Sequence, residues 1–105
     1  MKYTDIEVNE FSEKLNSNEN YVLLDVRTAD EVAEAHIGEP INIDIFEEDF
    51  ADKIGQLDKS KNYLVYCRSG RRSATACIFM AENGFTGELF NLEGGILAWL
   101  NEQSN

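Results

Sequence analysis

The stretch YLVYCRSGRRSATAC, residues 63–77, reads as a buried strand, a short turn and the opening of a helix. Residues 63–67 form a continuous apolar run rich in aromatic and β-branched side chains. That pattern suits a strand covered on both faces rather than one with a wet side. Gly70 then offers a residue that takes positive φ without strain, and SATACIFMAEN, beginning at Ser73, reads as a helix closed by Gly84, where a left-handed residue is often needed. A buried strand feeding directly into a helix is the repeating unit of a parallel sheet, and the rest of the chain can be tested against it.

Further apolar runs stand at YVLLDV (21–26), INI (41–43) and ELFNL (88–92), with a weaker one, YTDIEV, near the start. Helix-like segments separate them. Asn9 is placed to cap a helix over EFSEKLNS, and Thr28 with Glu31 forms a T-x-x-E capping box ahead of EVAEAH. In FEEDFADKIGQL, Phe46, Phe50 and Ile54 recur on one helical face. GGILAWLNEQ reads as a closing helix anchored by Trp99. Strands alternating with helices predict an α/β fold, a parallel sheet between helical layers, with VLLDV and YLVYC near its centre. Ligands of such sheets bind beyond the carboxyl ends of the strands, where Cys67 lies.

Length and charge narrow the function. The 105 residues are expected to form one domain, residues 1–105. No apolar run approaches the ~20 residues of a membrane helix, and MKYTDIEVNE lacks a signal-peptide core. The expected setting is therefore cytoplasmic, with no membrane partner. A net charge of −11 argues against nucleic acid, which rewards broad basic surfaces. Cys67, Cys77 and His36 are too few and too scattered for a zinc site, and a structural disulfide is not expected in a reducing compartment. Neither metal nor cofactor is called for.

Against this acidic background, three of the four arginines, Arg68, Arg71 and Arg72, fall within five positions just after Cys67. A loop that wraps the sulfur would turn successive N–H groups onto it as an anion nest. The following helix adds its N-terminal partial charge, the arginines add full charges, and the Ser69 and Ser73 hydroxyls add donors. All of these favour thiolate over thiol, so Cys67 is expected to ionise below the ~8.5 of a free cysteine. A thiolate at neutral pH is a nucleophile, and the same donors can stabilise an anion built on it.

These residues carry a resemblance. YVLLDVRTADEVAEAHIGEPINI, YCRSGRRS and GFTGELFNLEGGILAW resemble, in order, three segments of the single-domain rhodanese (thiosulfate sulfurtransferase) family, and the likeness spans essentially the whole chain. It implies a five-stranded, mainly parallel sheet in a three-layer α/β/α fold. It implies that Cys67 takes sulfane sulfur from a donor such as thiosulfate, becomes a persulfide, and passes the sulfur to cyanide, a thiol or an acceptor protein. Arg68, Ser69, Gly70, Arg71, Arg72 and Ser73 would form the binding loop, their N–H groups holding the terminal sulfur and the arginine side chains holding the donor anion. Two positions depart from the family pattern: Ala35 stands where glycine is usual before His-Ile, and Gly38-Glu39-Pro40 replaces the common Pro-Gly-Ala order.

Two other readings remain open. A cysteine phosphatase or arsenate reductase of this fold needs C-x5-R, whereas Arg72 gives C-x4-R. Family members that serve as non-catalytic interaction or sulfur-carrier modules commonly lack the cysteine, and retention of Cys67 with its full loop argues against that reading. Among the remaining residues, Arg27 is expected to pair with Asp25 or with a helix carboxylate such as Glu31. His36 is expected to be a packing residue, and Cys77 to face the core on a stripe with Ala76 and Met80. Asn91 and Gly94-Gly95 are candidates for the pocket border.

Overall fold

Every strand expected from the apolar runs forms, and the alternation of its side chains decides which helices cover it. In the computed structural model, residues 2–17 and 19–103 are described. The order is β1 (Thr4–Ile6), α1 (Val8–Leu15), β2 (Tyr21–Asp25), α2 (Ala29–Glu34), β3 (Ile41–Asn42), α3 (Phe50–Gly55), β4 (Asn62–Tyr66), α4 (Arg71–Glu82), β5 (Leu89–Leu92) and α5 (Gly95–Gln103). The strands lie in the order β1-β5-β4-β2-β3, and every ladder is parallel. β4, which leads into Cys67, is central, so its carboxyl end opens between two neighbouring strands.

The period of two along each strand splits the core in half. Leu24, Tyr63, Val65, Cys67 and Leu89 face α3 and α4, where Ile54, Ala76, Cys77 and Met80 meet them. Leu23, Leu64, Tyr66, Phe90 and Leu92 face the other way, against Val8 and Phe11 of α1 and Ile96 of α5. Trp99 closes that second half edge-on to Phe11, ring centres 6.1 Å apart. Helices on both faces of one parallel sheet make the expected three-layer α/β/α fold.

Three local expectations change. Asn9 does not cap α1: the helix starts at Val8 with Glu7 in the capping position. Val8 and Phe11 are both buried and three apart, so the helix must include Val8 to bring them onto one face. Phe46 is not on the buried face of α3. The Asp44 carboxylate accepts the Phe46 N–H at 2.9 Å, turns occupy the chain up to Asp49, and the ring is left 70% exposed. Finally, α4 begins at Arg71 rather than Ser73, because Gly70 at φ 100° sets the helix start two residues earlier. Its far end is as expected: Gly84 takes φ 90°, and the Phe85 N–H returns to the Met80 carbonyl at 3.3 Å. Among the described residues, no helix is long and apolar enough to cross a membrane.

Candidate functional site

Cys67 follows the last residue of the central strand and is fully buried. The chain then doubles back so that the Gly70 N–H donates to its Sγ at 3.1 Å, and the Ser73 hydroxyl donates to the same sulfur at 3.3 Å. Burial alone would push the Cys67 thiol up. Hydrogen bonds from the Ser73 hydroxyl and from the N–H groups of Ser73, Gly70 and Ser69 outweigh it and hold the thiol below its ordinary value. The early start of α4 contributes, since it makes Ser73 a first-turn residue whose N–H has no helical partner to satisfy.

The loop is held from outside by α5. The N–H groups of Ile96 and Leu97 donate to the carbonyls of Cys67 and Arg68 at 2.8 and 3.2 Å. With its carbonyls drawn away to α5, the loop is free to turn N–H groups toward the sulfur. Gly95 makes this approach possible: a Cβ there would lie 2.3 Å from the Arg68 carbonyl oxygen, and its φ is +62°. A pocket of about 320 Å³ borders the loop, with Ser69, Gly70 and Arg71 on one side and Asp5, Asn91 and Gly94 on the other. Asn91 and Gly94 thus reach the pocket, whereas Gly95 packs on the loop itself.

The arginines divide. Arg68 and Arg71 are exposed, and their side chains have no ion pair among the described residues. Arg72 does not stand free beside them. Its two terminal nitrogens donate to the two oxygens of Glu31 at 2.8 and 2.9 Å, and its guanidinium lies 5.5 Å from the centre of the exposed Phe46 ring. Glu31, expected as a cap and as one possible partner of Arg27, does cap α2: its Oε1 accepts the Thr28 N–H at 3.1 Å while its own N–H donates to the Thr28 hydroxyl at 3.2 Å. The bidentate Arg72 bond, with these caps, lowers the Glu31 carboxyl to about 2. The capping motif could announce one end of Glu31; nothing local announces the other.

The remaining candidates are structural supports or lie aside. Arg27 pairs with Asp25, as one of the two expected partners, through Nε at 3.0 Å and a terminal nitrogen at 2.7 Å, and both are buried. That guanidinium also donates to the Ala35 carbonyl at 2.7 Å, so the ion pair ties the end of β2 to the chain leaving α2. His36 is not a packing residue: it lies on the surface past the end of α2, its Nδ1 2.7 Å from the Gly38 carbonyl. Gly38 takes φ 53° there, a turn that draws the ring outward. Cys77 is fully buried beside Ala76 and Met80, and burial pushes its thiol up to about 12. Two cysteines in one domain therefore sit in opposite electrostatic settings.

A family model described as a rhodanese-like domain matches residues 7–102. YtwF of Bacillus subtilis, named as a sulfurtransferase, is 38% identical over 102 residues, covering 97% of this chain and 95% of that protein. A protein of Allochromatium vinosum named sulfurtransferase is 32% identical, covering 90% and 86% of the two chains. Among solved structures, a rhodanese-related protein from Thermoplasma volcanium superposes with a TM-score of 0.81 at 33% identity, covering 95% and 93%. With the strand order, the cysteine loop and these relatives in agreement, the chain belongs to the rhodanese-like sulfurtransferase family.

Proposed function

We propose that the protein moves sulfane sulfur from thiosulfate or a similar donor to a thiophilic acceptor through a persulfide on Cys67. The observation that supports this most directly is the pair of donors on one sulfur, the Gly70 N–H at 3.1 Å and the Ser73 hydroxyl at 3.3 Å. They favour a thiolate before substrate arrives, so no histidine is needed to take the proton. The thiolate attacks the outer sulfur of thiosulfate. The new Cys–S bond forms as the S–S bond of the donor breaks, and sulfite leaves with the electron pair. Cyanide, a thiolate or an acceptor protein's cysteine then attacks the terminal sulfur, and Cys67 departs as the thiolate with which it began.

The loop residues Arg68 to Ser73 serve this cycle in two ways. Their N–H groups supply donors to the persulfide anion. Attraction of the donor dianion falls to Arg68 and Arg71, because Arg72 is already neutralised by Glu31. The same pairing weighs against a phosphatase, in which the loop arginine has to face a bound oxyanion. Intact mass after thiosulfate treatment tests the reading: about 32 Da, one sulfur, is expected on Cys67 and is removed by excess thiol or by cyanide with release of thiocyanate. Unchanged mass in a folded, reduced protein given several sulfane donors would overturn it.

A further inference from the structure

Gly70 is the pivot of the loop. Its N–H is on the Cys67 sulfur, and its carbonyl is the first acceptor of α4, taking the Ala74 N–H at 3.2 Å. Glycine at φ 100° has more backbone freedom than any other residue, so its place must be set by something outside it. Asn91, on β5 and only 3% exposed, is in position to do so. Its Nδ2 donates to the Gly70 carbonyl at 3.1 Å and to Asp5 Oδ1, on neighbouring β1, at 2.9 Å. Its own Oδ1 is buried with no hydrogen-bond partner among the described residues.

That orphan oxygen is informative. A buried polar atom left unpaired costs roughly 1–3 kcal/mol, whereas an apolar side chain of the same shape carries no such cost. The oxygen therefore does nothing for stability, and what the amide contributes comes from its two Nδ2 hydrogen bonds. Only the donor end of the amide is used, and what it holds is the loop.

We propose that Asn91, oriented by Asp5, is a positioning residue that clamps the Gly70–Arg71 peptide and keeps the Gly70 N–H and the Ser73 hydroxyl directed at the Cys67 sulfur. Asp5 Oδ1 accepts here, so it selects the NH2 end of the amide and leaves that end facing Gly70. The clamped peptide begins α4, and Ser73 stands on its first turn. Gly70 is seated closely as well: a Cβ there would meet the Leu92 oxygen and the Gly94 nitrogen at 3.2 Å each. The sulfur's surroundings thereby depend on β1 and β5, elements that do not carry the loop.

The proposal rests on Cys67 working through its sulfur, yet its test needs no turnover. In a Cys77→Ser background, thiolate absorbance is followed against pH for Asn91→Leu and Asp5→Ala. The Cys67 midpoint should rise by about one unit in Asn91→Leu, a tenfold loss of thiolate below it, and by less in Asp5→Ala. The denaturant midpoint of Asn91→Leu should change little, since removal of the orphan oxygen offsets the loss of the two Nδ2 hydrogen bonds. An unshifted titration in folded Asn91→Leu overturns the proposal, and so does a loss of stability without a shift. Where the Leu variant fails to fold, the exposed Asp5→Ala decides: an unshifted midpoint there is equally fatal. A shift in a protein that never acquires sulfur leaves the clamp standing and sinks the sulfur-transfer reading instead.

Discussion

Arg72 and Glu31 stand 41 residues apart and meet through two hydrogen bonds of 2.8 and 2.9 Å. The pair joins the first turn of α4 to the N-terminus of α2, and it decides how much positive charge the loop presents. Glu31→Gln keeps the capping box, because glutamine serves at that position too, but it frees the Arg72 charge. The thiosulfate KM should then fall several-fold. Arg72→Ala should raise it by uncovering the Glu31 carboxylate, and the double variant should return close to wild type. A double variant whose KM stays far from the wild-type value would show that the pair does not set the charge of the loop.

Arg68 and Arg71 are the loop cations that have no ion pair among the described residues. One charge-assisted contact contributes ~1.5–3 kcal/mol when fully formed, and exposure reduces it. Arg68→Ala or Arg71→Ala should therefore raise the thiosulfate KM about three- to tenfold, with less effect on transfer to a neutral thiol. Salt should weaken thiosulfate binding in the wild type more than in either variant. Steady-state kinetics at two ionic strengths checks both statements.

The two cysteines should behave as opposites. Cys67→Ser is expected to abolish sulfur transfer with the fold intact. Cys77→Ser should keep turnover while losing some stability, since it puts a hydroxyl into the core. Ser73→Ala should raise the Cys67 thiol by about a unit, as one donor to the thiolate is removed. The activity–pH profile of that variant should shift to higher pH. An unmoved profile would mean that the backbone N–H groups alone set the ionisation.

Acid stability should report on Glu31. Its folded value lies below its ordinary 4.5, at about 2, so the pairing stabilises the native state above pH 4.5 and is lost as pH falls toward about 2. Thermal unfolding of the wild type should therefore decline across that window more steeply than that of Glu31→Gln. Parallel curves would place the acid sensitivity elsewhere.

Gly95→Ala should be severe. The added methyl would press on the carbonyls of Arg68 and Cys67 at 2.3 and 2.6 Å, and alanine would have to take φ +62°. A loss of at least about 2 kcal/mol is expected in denaturant unfolding. Displacement of the loop should also cost sulfur transfer in whatever fraction remains folded.

The sequence by itself determined the strands, most of the helices and the cysteine loop. Each depends on signals spanning a few residues: short continuous apolar runs, the Thr28–Glu31 box, Gly70 beside Cys67 and Gly84 closing α4. Asn9 and Phe46 depart from the local pattern because two local signals compete at each, burial deciding the first and turn chemistry the second. Val8 had to join α1 to reach the core, while Phe46 was drawn into an Asp44 turn. Tertiary structure alone decided which distant partners meet at the site. Strand periodicity says which face a side chain takes but not which strand lies alongside, so the order β1-β5-β4 is what brings Asp5 and Asn91 to Gly70. The placement of α2 beside α4 likewise turned three apparent loop cations into two, because a carboxylate within hydrogen-bond reach neutralises an arginine however far apart they stand in the chain.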